Sequence, residues 1–286
     1  MTYSLSIILP AKNESSSLRR LLPELRRQAP EAEIIVVDDG STDDTVAVCV
    51  EHRVKVISHR YSMGNGAAVK SGARAAQGDV LVFMDADGQH QPGDIPRLLE
   101  RLGEGHDMVV GARSGGSQAG AHRAMANGFY NWLASWMTGQ PIKDLTSGFR
   151  AVRAERFRKY LYLLPNGFSY PTTITMCFFR AGFSVAYVPI HAPKRIGKSH
   201  VKIMSDGVRF LLIIFKIGTL YSPLKIFFPI SLTFFVTGLS YYLYTFLTEH
   251  RFTNMSALLF TTSVLIFLIG LVSEQITLLN YKDSDN

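Results

Sequence analysis

Short apolar runs alternate with helical patterns over the first two thirds of the chain, and long unbroken apolar runs fill its end. The short runs are residues 4–10 (SLSIILP), 33–39 (EIIVVDD), 54–58 (VKVIS), 79–85 (DVLVFMD), 108–113 (MVVGAR) and 184–190. Each has strand length and few polar interruptions, which predicts strands covered on both faces. Between them, residues 14–28, 43–52, 65–77 and 92–102 read as helices. That alternation predicts an α/β fold, a mostly parallel Rossmann-like sheet with helices on both sides.

The long runs are residues 223–247 and 256–279, joined by TEHRFTNM. Each exceeds the about 20 helical residues that cross a hydrocarbon core of roughly 30 Å. So short a link makes them a hairpin, with both ends on one side of the bilayer. Lys194, Arg195, Lys198, Lys202, Arg209, Lys216 and Lys225 precede the first run, whereas the link has only Arg251. The positive-inside rule therefore predicts that the N-terminal part is cytoplasmic, at a cell inner membrane. Residues 204–221 place apolar positions around Arg209 and Lys216, as expected of a helix lying at the interface. The expected organisation is a catalytic domain over residues 1–200, an interfacial helix over 201–222, and a hairpin with a short tail over 223–286.

Composition adds little to this. The net charge of +7 suits an anionic membrane surface or an anionic substrate equally, and no nucleic-acid partner is expected. A homo-oligomer is left open. Cys49 and Cys177 form no metal or disulfide pattern and fit a reducing compartment. The opening MTYSLSIILPAKNE lacks a basic leader, so no signal peptide is expected.

Ligands of such sheets gather beyond the carboxyl ends of the strands, and here those ends are acidic. Asp85 and Asp87 flank one residue directly after VLVFM. Paired carboxylates at a strand end suit a hard cation, Mg²⁺ or Mn²⁺, which takes one or two carboxylates and fills its shell with water and diphosphate oxygens. Gln89 offers a further carbonyl oxygen. Asp38 and Asp39 end another strand; one of them contacts a nucleotide, or both belong to a turn in which Ser41 or Thr42 caps the next helix. Gly64-Asn65-Gly66 opens a helix with small residues that would let backbone N–H groups approach an anion, although it lacks a full phosphate-loop spacing. Arg113, Arg123, Arg195 and Lys198 are candidates for facing phosphates, which arginine grips in a bidentate fork. Asp144 orients a sugar or an arginine, or caps a turn. His90, His122 and His200 have no metal-ligand spacing and are expected to pack or face solvent.

SIILPAKNE, IIVVDDGSTDDT, GNGAAVKSG, VLVFMDADGQHQP, DLTSGFR and RIGKSH, in that order, resemble the family 2 glycosyltransferases, and within them the polyprenyl-phosphate branch. The resemblance runs from about Ser4 to His200. It implies a GT-A fold, a divalent metal, inversion at the anomeric carbon, a UDP- or GDP-linked sugar as donor and a polyprenyl phosphate (undecaprenyl or dolichyl) as acceptor. It further implies that Pro10, Ala11, Glu14 and Asp38 or Asp39 hold the nucleotide, and that Asp85, Asp87 and Gln89 hold the metal. Arg113, Arg123 and Arg195 would face the two sets of phosphates, with Asp87 and Asp144 also among the catalytic residues. Asn13, Asn65, Lys70, Ala86, Lys198 and Ser199 complete the expected substrate-binding set. Gly88 departs from the leucine that relatives often carry there.

Two other classes compete. A processive polysaccharide synthase would carry a Q-x-x-R-W element and more spans, whereas Trp132 and Trp136 have no arginine before them. A non-catalytic module binding nucleotide sugar would have little use for both metal carboxylates and all the arginines.

Overall fold

The computed structural model describes residues 3–113, 121–167, 169–191, 215, 218–219 and 221–282. The chain divides into two compact units, Met1–Val201 and Lys202–Asn286.

The first unit is an α/β domain. Its strands are β1 (Leu5–Ala11), β2 (Glu33–Asp38), β3 (Lys55–Ser58), β4 (Val80–Phe83), β5 (Met108–Arg113), β6 (Arg150–Arg153) and β7 (Val185–Ile190). They form one seven-stranded sheet in the order β3-β2-β1-β4-β6-β5-β7. The sequence predicts every strand but β6. Helices α1 (Ser15–Gln28), α2 (Thr45–Glu51), α3 (Asn65–Ala75) and α4 (Ile95–Gly103) match the predicted connections, while α5 (Ala121–Thr138), α6 (Ala154–Arg158) and α7 (Tyr170–Arg180) lie in a region that the periodicity leaves unassigned. Ile7, Leu9, Ile34, Val36, Val80, Val82 and Val109 are almost wholly buried, with Leu18, Leu22 and Leu25 of α1 packed in the same core. Burial of both strand faces is the reason these strands read as continuous apolar runs.

Two topological features create a ligand-binding edge. First, the chain leaves β1 for β2 and β3 on one side and returns to β4 on the other, with β1 paired parallel to both neighbours. The ends of β1, β2 and β4 therefore share one edge, the switch point at which such sheets bind ligands. Second, β6 runs antiparallel to both β4 and β5, pairing Phe83 and Val110 with Arg150. Its beginning thus lies where β4 and β5 end, and the turn before it, residues 144–149, reaches the same edge.

The second unit contains α8 (Pro223–Glu249) and α9 (Asn254–Lys282). Both are long and apolar enough to cross a membrane. Small residues make their contact close. The hydroxyls of Ser231 and Ser263 each donate to the other residue's carbonyl at 2.9 Å, and a Cβ on Gly270 would come within 2.7 Å of Phe227 Cβ. Such small-residue packing with polar clasps suits helix pairs in lipid, where apolar side chains gain nothing by leaving the solvent. Glu274, unusual within an apolar run, accepts the N–H of Leu224 at 3.3 Å and so satisfies one orphan donor at the start of α8. Most of the expected interfacial helix, including residues 204–214, lies outside the described residues.

Candidate active site

The β1 and β2 ends are laced together. Asn13, held at φ 56, donates its N–H to Ser41 Oγ at 2.9 Å and accepts the Thr42 N–H at 2.8 Å. Glu14 N–H donates to Thr45 Oγ1, and Ser15 N–H to Asp43 Oδ2. Helix α2 is introduced by Asp43, whose Oδ1 accepts the Thr45 N–H. This corrects the expectation for Ser41 and Thr42: they serve the cross-loop contacts, and the cap falls later. Ala11 is buried and pairs with Asp38. Pro10 precedes it on the same strand.

The two aspartates at the end of β2 do different work. Asp39 spends its carboxylate inside the protein: it accepts from His59 Nδ1 (2.8 Å), Ser62 Oγ (2.7 Å), Met63 N (2.8 Å) and Gly64 N (2.9 Å). His59 in turn accepts the Ser71 hydroxyl at Nε2, 2.9 Å away. Burial works to raise the Asp39 pKa, but these hydrogen bonds, His59's first, outweigh it and hold it at about 2. Asp38 is as deeply buried, yet among the described residues the one hydrogen bond to its carboxylate comes from Ser41 N–H at 3.0 Å. Asp38 is therefore the carboxylate with accepting capacity left for a ligand.

Because the folded pKa of Asp39 lies below the unfolded value of 3.8, its stabilisation is complete above that value and fades as pH falls toward 2. Asp39→Asn should lower stability at neutral pH by about 2 kcal/mol and flatten the acid limb over that window. Denaturant titrations at several pH values check this.

The start of α3 is not an anion site. Gly66 and Ala67 N–H groups donate to the carbonyls of Gly167 (3.2 Å) and Asn166 (2.8 Å), so the donors expected to meet an anion are taken. Lys70 belongs to the same seam, donating from Nζ to Leu164 O at 3.1 Å and to Asn166 Oδ1. That commits its ammonium to tethering residues 164–166. Asn65 differs: its Oδ1 is buried with no partner among the described residues.

Beyond β4 the chain turns tightly. Gly88 adopts φ +76, a left-handed conformation that strains a leucine and explains the glycine here. The turn brings His90 back so that its Nδ1 accepts the Asp85 N–H at 3.1 Å, while Asp87 Oδ1 accepts the Gln89 N–H at 3.1 Å. His90 is buried and stacks on Phe149 with ring centroids 5.0 Å apart. It packs, as expected, but it also shapes the loop. Asp85 keeps its carboxylate 38% exposed, and that carboxylate lies directly over Gly148, where a Cβ would come within 2.9 Å of Asp85 Oδ2. Ala86 between the two acids is buried.

Beyond β5 stands a bidentate clamp. Arg113 Nε donates to Asp144 Oδ2 at 2.8 Å, and Nη2 donates to Asp144 Oδ1 at 2.9 Å and to Thr146 Oγ1 at 2.6 Å. Asp144 thus orients an arginine, and it also accepts the Thr146 N–H at 3.1 Å. Burial pushes the Asp144 pKa up, but the Arg113 hydrogen bonds and charge prevail and hold it below the ordinary carboxylate value. Burial pulls the Arg113 pKa down, and Asp144 with a smaller contribution from Asp85 keeps it raised.

Arg150 carries no site expectation from the sequence. It is fully buried, donating from Nη1 to Pro171 O (3.2 Å) and Thr175 Oγ1 (3.3 Å) and from Nη2 to Ser147 O. Its guanidinium lies 5.7 Å from the Tyr170 ring centroid, and Tyr170 OH donates to Gly148 O at 3.2 Å. Arg150 and Tyr170 together fix the 147–148 turn beneath Asp85. The only sequence signal is its place at the end of DLTSGFR.

For a cation, the donor set fits a hard ion. Asp85, Asp87 and the Gln89 amide offer oxygen alone, and among the described residues no group of three His, Cys, Asp or Glu forms a complete cage. Such a site leaves coordination positions for ligand oxygens. Arg123 falls on α5 by its backbone, its side chain lying outside what the structure describes, and Arg195, Lys198, Ser199 and His200 lie outside the described residues altogether.

Residues 6–176 match the family model described as glycosyl transferase family 2, and residues 222–279 match that described as GtrB C-terminal hairpin. A polyprenol monophosphomannose synthase of Mycolicibacterium smegmatis is 32% identical over 204 residues, spanning 66% of this chain and 77% of that protein. An undecaprenyl-phosphate mannosyltransferase of Micrococcus luteus is 33% identical over 225 residues, 70% of this chain and 87% of that one. Among solved structures, glucosyl-3-phosphoglycerate synthase from Mycobacterium tuberculosis, in complex with Mn²⁺, UDP-glucose and phosphoglyceric acid, aligns with a TM-score of 0.62 at 21% identity, covering 76% of this chain and 80% of that one. At that identity the likeness concerns the fold alone, a GT-A-like sheet.

Proposed function

The chain belongs to glycosyltransferase family 2, and from that premise we propose that it transfers a sugar from a nucleoside diphosphate to the phosphate of a polyprenyl lipid, with inversion at the anomeric carbon. The observation that carries this reading is the meeting of the Asp85 turn and the Arg113–Asp144 clamp at one sheet edge, in a chain that also has an apolar helical hairpin. The similarity to a polyprenol monophosphomannose synthase and an undecaprenyl-phosphate mannosyltransferase supports the acceptor class.

In this reading Pro10, Ala11, Glu14, Asp38 and Asn65 line the nucleotide end of the site, Asp38 and the Asn65 Oδ1 supplying acceptors. Asp85, Asp87 and Gln89 hold Mg²⁺ or Mn²⁺, which when bound supplies Lewis-acid neutralisation of the leaving diphosphate. The nucleophile needs no general base: a phosphate monoester has its second pKa near 6 and is already anionic at neutral pH. The protein's task is to hold two polyanions together. Arg113, fixed in one rotamer by Asp144, offsets that repulsion without losing side-chain entropy at the moment of binding. Arg123, Arg195 and Lys198 add charge around the acceptor phosphate.

The decisive assay supplies purified protein with polyprenyl phosphate, Mg²⁺ or Mn²⁺ and a panel of UDP- and GDP-sugars, and reads glycosylated lipid. Failure with every donor would overturn the reading. Arg195→Ala should lower kcat/KM for the lipid about ten- to hundredfold, the effect of losing a charge-assisted contact of roughly 1.5–3 kcal/mol, while nucleotide-sugar affinity stays constant. Weakened donor affinity instead would move Arg195 to the diphosphate.

We place the catalytic domain on the cytoplasmic side, on the charge asymmetry around the hairpin. A tag near Asn254 should then be reachable from outside sealed cells and a tag after Asn286 protected. Equal protection of both would contradict a spanning hairpin.

A further inference from the structure

Arg150 is the one lysine or arginine that is buried among the described residues, and its exposure is 0%. A buried cation ordinarily has a carboxylate against it, because leaving water without one is costly. Among the described residues no carboxylate is in ion-pair contact with this one. Asp144 is taken by Arg113, and Asp85 faces outward with 38% of its side chain exposed. The two Nη groups meet carbonyls, the Thr175 hydroxyl and the Met108 sulfur, and Nε is buried with no hydrogen-bond partner among the described residues. Tyr170 and Tyr187 interact with the guanidinium, but burial pushes both phenols up, so they stay neutral near neutral pH and cannot balance it.

This charge lies directly behind the Asp85 turn. Arg150 stands in register with Phe83, which precedes Asp85 by two positions on the chain. Its Nη2 donates to Ser147 O, and a Cβ on the next residue, Gly148, would come within 2.9 Å of Asp85 Oδ2. One hydrogen bond, one peptide unit and that approach add up to at most about 10 Å between guanidinium and carboxylate. A fixed positive charge so placed favours an anion at the turn and opposes a cation, and burial spares it much of the screening by salt. At an effective dielectric constant near 20, a unit charge about 10 Å from a divalent ion changes its binding by about tenfold or more.

We propose that Arg150 is a positioning residue whose unbalanced charge makes the Asp85–Asp87 turn disfavour a free divalent cation and take it together with a nucleoside diphosphate, whose negative charge balances the arginine. The inference rests on the reading of this edge as a metal and nucleotide site. What it adds is a sign: one buried charge helps the anion and hinders the cation. A local violation of charge pairing is the kind of departure that folds tolerate at functional sites. An Arg150 that served only to brace the 147–148 turn would behave differently on removal. The turn beneath Asp85 would loosen, and both ligands would weaken together.

The test measures Mn²⁺ binding to the full chain in detergent micelles, by the electron paramagnetic resonance of the free aqua ion, alone and with saturating UDP or GDP. Nucleotide affinity is read separately by calorimetry at saturating Mn²⁺, and Asp87→Asn defines Mn²⁺ held elsewhere on the chain. Two variants cancel the charge by opposite routes. Arg150→Met deletes the guanidinium, whereas Thr175→Asp sets a carboxylate against Nη1, where the hydroxyl accepts at 3.3 Å. Each should bind Mn²⁺ alone about tenfold more tightly than the parent and nucleotide about tenfold more weakly. Arg150→Lys, which keeps the charge, should stay near the parent in both. Parallel loss of the two affinities in folded variants, or no change in either, would overturn the proposal. Should neither charge-cancelling variant fold, the unaltered chain still decides: Mn²⁺ bound as tightly alone as with nucleotide contradicts the proposal, and binding about tenfold tighter with nucleotide supports it. A chain that takes up neither UDP nor GDP with Mn²⁺ would overturn the reading of the site, and this inference with it.

Discussion

Asp85→Asn and Asp87→Asn should each reduce turnover by about a hundred- to a thousandfold, because in the proposed mechanism several kcal/mol of charge stabilisation on the leaving diphosphate depends on their carboxylates. The fold should survive both changes. Asp85 is more than a third exposed, and the His90 ring nitrogen nearest its carboxylate is 3.8 Å away; because that nitrogen accepts the Asp85 backbone N–H, an asparagine there loses no strong ion pair and keeps the backbone bond. Thermal unfolding of each variant should therefore match the parent, while excess EDTA should reproduce the loss of activity in the unaltered protein. Substantial turnover in either variant, or in EDTA, would rule out a catalytic metal at this turn.

Asp144→Ala should be costly in both stability and rate. It leaves the Arg113 guanidinium without the carboxylate that accepts from its Nε and Nη2, and breaking a largely buried pair by deleting one partner costs about 3–5 kcal/mol. Removing both, in Arg113→Ala/Asp144→Ala, should return part of that stability because no uncompensated charge remains. Activity should not return, since in the proposed mechanism Arg113 is a group that meets phosphate. The pH dependence has a definite sign: the Asp144 pKa is lowered by folding, so the clamp contributes fully above the ordinary carboxylate range and weakens as pH falls below it. A double-mutant cycle read by both denaturation and turnover separates the two roles. Recovery of activity in the double variant would make the clamp merely structural.

Much of the scaffold is legible in the sequence because burial imposes it on composition. The strands β1, β2, β4 and β5 are covered on both faces and so read as apolar runs, and the importance of their acidic ends comes from the way such sheets bind ligands. Strand β6 escapes notice because Arg150-Ala-Val-Arg153 is four residues long and begins and ends with arginine. Arg150 is nonetheless fully buried, its two Nη groups donating to carbonyls and a hydroxyl supplied by residues 147, 171 and 175 while its Nε has no hydrogen-bond partner among the described residues. No local pattern announces that. The same limit applies at Asp38 and Asp39, adjacent and chemically identical in sequence. Only the path of residues 59–64 decides that Asp39 becomes an anchor and Asp38 keeps capacity for a ligand. Gly64-Asn65-Gly66 misleads for a related reason: the donors of a helix start are visible in sequence, but the carbonyls of Asn166 and Gly167 that occupy them come from about a hundred residues away.

The whole mechanism turns on a lipid phosphate, already ionised, acting as the nucleophile. It is tested most directly by giving the purified protein, with Mn²⁺ and the donor it uses, either polyprenyl phosphate or the polyprenol of the same chain length, and measuring release of nucleoside diphosphate across a range of pH. Transfer to the phosphate only is expected, at a rate that declines as pH drops through the phosphate's second pKa near 6. Efficient transfer to the polyprenol would contradict it.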